Sequence, residues 1–148
     1  MVRVLLDVAK MRKSMRLPAF DYSIAGAYFI TICTHRRRLI LGGIHRDIAE
    51  AELDELPRRF AGLAIDCRVL QPDHLHVVLQ MTASAVTLSR IVQAYKSITT
   101  RRIKQIAHID RVWQRGYYDR IIRNELELAA IREYIVHNAI VHAVRQLS

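Results

Sequence analysis

Ala64-Ile65-Asp66-Cys67-Arg68-Val69-Leu70-Gln71-Pro72-Asp73-His74-Leu75-His76-Val77-Val78-Leu79 holds two strand-like runs joined by a short Gln-Pro-Asp link. The first run alternates, which predicts Ile65, Cys67 and Val69 on one side. The link is far too short for a crossover connection, so the two runs are expected to pair as an antiparallel hairpin. In the second run His74 and His76 stand two apart and share a face, while Leu75, Val77 and Leu79 point the other way into a core. Two imidazoles side by side form a rigid two-nitrogen platform at the mouth of an apolar strand. The same alternation sends the Asp73 side chain to the opposite face from His74.

Working outward from the hairpin, Gly26 leads into Ala27-Tyr28-Phe29-Ile30-Thr31-Ile32-Cys33-Thr34, a β-branched and aromatic run suited to a buried strand. It ends at Arg36-Arg37-Arg38, three arginines placed to contact phosphates if a nucleic-acid site lies nearby. From Arg46 to Phe60 the apolar spacing is helical, with Ile44, Ile48, Leu53, Leu56, Phe60 and Leu63 recurring mostly three to four apart. Pro57 predicts a kink there, or a second short helix. Downstream of Ser84 runs a long amphipathic helix marked by Leu88, Ile91, Val92, Tyr95, Ile98 and Ile103. Its other positions carry Arg90, Lys96, Arg101, Arg102 and Lys104, with no acid between Asp73 and Asp110.

The segment Val112 to Arg123 is rich in aromatics and predicts a last strand, on which Arg115, Tyr118, Arg120 and Arg123 could hold phosphates and stack bases. Asn124 followed three residues later by Glu127 has the shape of a capping box. It opens a final helix from Glu125 to about Val144, with Leu128, Ile131, Ile135 and Ala139 as its buried stripe. Tyr134 and Asn138, four apart, are neighbours on one face of it. The order β-α-β-β-α-β plus a terminal helix predicts an α+β fold: a ferredoxin-like antiparallel sheet with helices packed on one face and a C-terminal helix carrying the reactive groups.

The chain has 148 residues, enough for one domain with a real core, and its 23 basic against 14 acidic residues give a formal charge of +9. That balance makes a polyanion the first partner to consider. The expected organisation is a basic N-terminal arm over 1–20 and a single domain over 21–148. Cys33 and Cys67 lie in strand-like runs and read as small buried hydrophobes in a reducing setting, not as a disulfide scaffold. The first residues have too short an apolar stretch for a signal peptide, and no run approaches the length of a membrane span, so a soluble cytoplasmic protein is expected.

Two imidazoles can bind a divalent cation but are too few by themselves. Asn138 could supply a third donor, and Tyr134 one turn away would then reach the metal. A small zinc-dependent hydrolase is disfavoured, because no carboxylate stands near the histidines at metalloenzyme spacing. At these residues the chain resembles the single-tyrosine HUH transposases, in particular the insertion-sequence 200-like and REP-associated branch. The resemblance runs from Gly26-Ala27-Tyr28-Phe29-Ile30-Thr31 through Pro72-Asp73-His74-Leu75-His76 and Tyr95-Lys96-Ser97-Ile98-Thr99 to Trp113-Gln114-Arg115-Gly116-Tyr117-Tyr118-Asp119-Arg120-Ile121-Ile122-Arg123. It closes on Tyr134-Ile135-Val136-His137-Asn138.

The resemblance implies a single-stranded DNA substrate, often beside a hairpin, cleaved by a tyrosine nucleophile through a 5′-phosphotyrosine. Tyr134 matches the nucleophile, His74 and His76 the metal-binding pair, and Asn138 the polar third ligand, with Mg²⁺ or Mn²⁺ as the implied metal. The same resemblance leaves monomer and homodimer both open. The branch commonly has proline after the asparagine. Here Ala139 follows, so the helix is expected to run on through His142. The rival from a different class is a domesticated single-strand-binding protein of the same fold without catalysis.

Overall fold

The computed structural model describes residues 12–13, 26–82 and 86–147. Its elements in chain order are β1 (Arg12–Lys13), β2 (Gly26–Cys33), α1 (Gly43–Arg59), β3 (Leu63–Gln71), β4 (His74–Met81), α2 (Leu88–Lys104), β5 (Tyr118–Ile122) and α3 (Glu125–Leu147). The strands form one sheet in the order β1-β5-β2-β4-β3, and every pairing is antiparallel. With the two-residue β1 set aside, β5-β2-β4-β3 connected through α1 and α2 is the ferredoxin-like arrangement. Of the basic arm, only Arg12 and Lys13 fall among the described residues, where they pair with Asp119 and Tyr118 at the edge of the sheet.

Alternation along the strands sorts their side chains onto two faces, and each face is covered. Tyr28, Ile30 and Ile32 of β2 pack with Leu75, Val77 and Leu79 of β4 beneath α1 and α2. Phe29 of β2, Val69 of β3, Val78 of β4 and Ile122 of β5 pack on the opposite face with Leu128, Ile131 and Ile135 of α3. The terminal helix therefore takes a face of its own, and the sheet is the middle of three layers. Each large side chain sequestered in this way stabilises the fold by roughly 1.5–3 kcal/mol before conformational entropy is counted.

Three local expectations are corrected. The β3–β4 register shifts between Ile65 and Cys67, a bulge at Asp66. An extra residue reverses the alternation, so Ile65 packs under α1 and α2 while Cys67 and Val69 face α3. Pro57 neither kinks α1 nor starts a new helix: the helix runs through it and ends two residues later at Arg59. The N–H that proline lacks would have bonded the Leu53 carbonyl, so one bond of the last turns is given up and the helix stops soon after. The last strand is also shorter than its aromatic run suggests, since only Tyr118–Ile122 enters the sheet.

Trp113 instead bridges to Thr34 and buries its ring against the α2 side of the core. Its indole Nε1–H donates to the Thr99 hydroxyl at 2.8 Å, and Thr99 in turn donates to the Tyr95 carbonyl at 2.8 Å. Thr99 therefore takes the buried position expected of Ile98. No described helix is long and apolar enough to cross a membrane.

Candidate functional site

The face of the sheet under α3 gathers the residues singled out by their chemistry. His76 pairs in register with Thr31 on one side and Val69 on the other, and His74 pairs with Cys33 and Gln71. The two imidazole rings lie 4.6 Å apart, centroid to centroid. The Tyr134 ring comes down from α3 to 5.5 Å from His76, and Phe29 completes the packing at 5.4 Å from His76 and 6.3 Å from Tyr134. Among the described residues nothing hydrogen-bonds the Tyr134 hydroxyl.

Each imidazole is held through one nitrogen. Thr31 Oγ1 lies 2.8 Å from His76 Nδ1, and Asp73 Oδ1 lies 2.7 Å from His74 Nδ1. Asp73 therefore does not point away from His74, as strand alternation predicts. It sits in the turn before β4, where alternation no longer applies, and reaches forward to its neighbour. Burial opposes ionisation of this carboxyl, but hydrogen bonds from His74 and Arg37 outweigh it and hold the Asp73 pKa below the ordinary value. An ionised carboxylate can only accept, so His74 Nδ1 must carry the proton and Nε2 keeps its lone pair.

Burial lowers the His74 pKa despite the opposing pull of Asp73. Burial, followed by the charges of His74 and Arg37, pushes His76 down to about 3. Both rings are thus neutral near pH 7, the state that can ligate a metal.

The turn between β2 and α1 is welded to the same place. Thr34 N–H donates to the Asp73 carbonyl at 2.9 Å, its hydroxyl proton is shared between the Arg38 carbonyl at 2.7 Å and the Asp73 carbonyl at 3.0 Å, and the Leu41 N–H donates to the Pro72 carbonyl at 2.9 Å. Arg36 and Arg37 occupy the left-handed region, with φ of 54° and 55°. For large side chains that conformation costs on the order of 1–3 kcal/mol each. Arg37 Nε donates to Asp73 Oδ2 at 3.0 Å.

The helix carrying Tyr134 is fastened at three points. Asn124 Oδ1 accepts from the Glu127 N–H at 2.8 Å, as the capping pattern predicts, but the Glu127 carboxylate turns to Arg120 Nε at 2.8 Å instead of completing the box. In the middle, Arg132 grips the bulge residue Asp66 through two bonds of 2.7 and 2.5 Å. Beyond Tyr134, Gln71 Nε2 donates to the Asn138 carbonyl at 3.1 Å. The Asn138 amide nitrogen donates to the Tyr134 carbonyl at 2.8 Å, which leaves its amide oxygen as the group able to ligate. The helix runs on past Ala139 to Leu147.

The Asp66–Arg132 clamp carries a pH signature. The Arg132 hydrogen bonds lower the Asp66 pKa below the ordinary 3.8. The clamp's contribution is therefore complete above that ordinary value and is lost as pH falls through the folded one. Asp66→Asn is expected to melt below the wild type at pH 7, with the gap closing as the buffer is taken below about pH 4. Thermal melts of both proteins across that range check it, and a gap constant with pH would show that ionisation of Asp66 does not contribute.

The basic residues divide. Arg36 and Arg38 are exposed, and together with Arg111 their charges add to burial in lowering the His35 pKa. Arg101 and Arg115 line a groove of about 1200 Å³ with Lys96, Lys104, Arg111 and Trp113, between α2 and the loop leading to β5. Neither histidine of the pair nor Tyr134 lines it. Tyr118 pairs with Thr31, which puts it in the same cross-strand row as His76. Arg123 is exposed just past β5. Four expected phosphate contacts are already engaged within the fold: Arg37 on Asp73, Lys96 Nζ on the Gln114 and Gly116 carbonyls, Arg102 on Glu52, and Arg120 on Glu127.

Thr31, Asp73, Phe29 and Gln71 escape a sequence reading. They do their work through cross-strand register and turn geometry, which no local pattern encodes.

Residues 24–138 match the family model described as "Transposase IS200 like". An uncharacterized protein of Haemophilus influenzae (strain ATCC 51907 / DSM 11121 / KW20 / Rd) is 31% identical, over 92% of each chain. Among solved structures, a REP-associated tyrosine transposase bound to a REP hairpin superposes with a TM-score of 0.71 at 20% identity, over 86% of this chain and 74% of that one. A putative transposase from Deinococcus radiodurans superposes with a TM-score of 0.58 at 21% identity, over 84% of this chain and 97% of that one.

Proposed function

Because the chain belongs to the family of IS200-like transposases, we propose that it cleaves and rejoins single DNA strands with Tyr134 as nucleophile. The observation that carries this reading is the packing of the Tyr134 ring 5.5 Å from His76, itself 4.6 Å from His74. In the reaction, Tyr134 Oη gives up its proton to solvent and bonds to the phosphorus as the bond from phosphorus to O3′ breaks. The strand is left joined to the protein through a 5′-phosphotyrosine, and the departing O3′ takes up a proton to become a 3′-OH. The diester energy is conserved in the new bond, so the reverse attack by another 3′-OH reseals DNA without an external energy source.

His74 and His76 through Nε2, with Asn138 through its amide oxygen, are the residues that would hold the metal. The donor set fits, because both rings are neutral, His74 Nε2 keeps its lone pair, and the Asn138 oxygen has no internal partner among the described residues. A bound Mg²⁺ or Mn²⁺ would polarise a phosphoryl oxygen.

The substrate we propose is hairpin-bearing single-stranded DNA. The similar fold solved with a REP hairpin supports a hairpin, and the basic surface supports a polyanion. We assign its contacts to Arg36, Arg37, Arg38, Arg101, Arg115, Arg123 and Tyr118, with Lys96, Arg102 and Arg120 contributing mainly by shaping the basic surface.

Incubation of such DNA with the protein and Mg²⁺, resolved on a denaturing gel, should yield a protein–DNA band that survives denaturation. Retention on a native gel with no such band under any divalent metal would overturn the reading in favour of binding without catalysis.

A further inference from the structure

We propose that Arg37 grips the phosphate that is cut, holding it against the histidine pair and stabilising the charge that builds on its oxygens. This rests on the cleavage reading above and assigns one side chain a role within it.

The three consecutive arginines after β2 do not act alike. All three are exposed, but the charges of Arg36 and Arg38 act on His35. Arg37 turns toward the site: Nε and Nη2 both reach Asp73 Oδ2, at 3.0 and 2.9 Å, and Nη2 lies 3.5 Å from His74 Nδ1. Its charge reaches both histidines.

Two features of this placement go beyond what an ion pair needs. The first is the backbone. Arg36 and Arg37 both sit at positive φ, where glycine or asparagine would be at ease. The turn is forced into that shape by the Thr34 bonds to Asp73 and by the 2.7 Å bond from Thr34 Oγ1 to the Arg38 carbonyl. The second is the guanidinium itself. Asp73 occupies one edge, yet the side chain remains 55% exposed. A guanidinium has five N–H donors in a planar fork. Anchored on Asp73 Oδ2, with Nη2 3.5 Å from His74 Nδ1, it has donors left over beside the His74 ring, and a planar fork suits phosphate oxygens.

During attack by Tyr134 Oη, the bond to O3′ breaks while the non-bridging oxygens gather negative charge. A fixed guanidinium beside them stabilises that charge without reorganising. No proton or electron is taken from Arg37, which is unchanged at the end.

The competing role is positioning alone, with Arg37 acting through Asp73 to orient His74. Hairpin DNA carrying each phosphorothioate diastereomer at the cleaved phosphate separates the two. Rates of adduct formation are measured at saturating DNA for the wild type, Arg37→Ala and Arg37→Gly, together with Mn²⁺ affinity by titration calorimetry. Arg37→Gly suits the positive φ, so its melting temperature should hold or rise and loss of fold cannot account for its rate.

We expect both variants to form adduct about 100- to 1000-fold more slowly, with Mn²⁺ affinity within about threefold of the wild type. One diastereomer that slows the wild type should no longer slow either variant. If both sulfur substitutions slow the variants as much as the wild type, the assignment is overturned. It is equally overturned if Mn²⁺ affinity falls tenfold or more, the signature of a lost orienting partner. A wild-type protein that forms no adduct would sink the cleavage reading itself, whereas a normal wild type with unaffected variants would sink only the role of Arg37.

Discussion

Tyr134→Phe should form no covalent adduct at all and should cut hairpin DNA at least about 10⁴-fold more slowly than the wild type, a deficit of the size seen when a nucleophile is removed. The substitution deletes one oxygen and nothing else. The ring still packs edge-on against His76 and Phe29, and no hydrogen bond to a described residue is lost. Stability and DNA affinity should therefore stay close to the wild type. Denaturing gels, native gels and a thermal melt of the same preparation make the check. Adduct formation by the variant at a comparable rate would remove Tyr134 from the chemistry.

The second large effect is expected at His76. His76→Ala should lose roughly a thousandfold or more of the cleavage rate, the equivalent of the several kcal/mol that a bound metal contributes to a phosphoryl transition state. Mn²⁺ binding should fall with it, while DNA retention stays within about threefold, because the substitution leaves every arginine in place. His76 is only 6% exposed, so the alanine leaves a space beneath Phe29 and Tyr134 and some stability is lost too. A melt separates the two effects: a folded variant with weakened metal binding and intact DNA retention supports a ligand role. Full Mn²⁺ affinity in a folded variant would remove His76 from the metal site.

The parts legible from sequence are those written in local pattern. The period-two run through His74 and His76 identifies a strand and the shared face of two imidazoles, and the period-3.6 runs identify α2 and α3. Asn124 with Glu127 marks where α3 begins. The bulge at Asp66 is invisible to such a reading, because an extra residue leaves no mark on the composition of a strand. It decides which side of β3 faces α3, and it puts Asp66 where Arg132 can hold it.

Asp73 is misread for a related reason: alternation describes strands, and this residue belongs to a turn fixed by Thr34 and Arg37 from a distant part of the chain. The basic surface is legible in charge alone but not in use. Lys96 and Arg102 look like phosphate contacts by sequence, yet one anchors the loop before β5 and the other neutralises Glu52. Net charge says how much basic surface exists, and tertiary partners determine which of it is free.

The central claim is that Tyr134 meets the histidine pair within one reacting centre. The most direct test is to trap the adduct with hairpin DNA and Mg²⁺, digest it with nuclease and trypsin, and locate the nucleotide by mass spectrometry. The account predicts the modification on the tryptic peptide from Glu133 to Arg145, at Tyr134. A nucleotide found on the Gly116–Arg120 peptide, at Tyr117 or Tyr118, would contradict it.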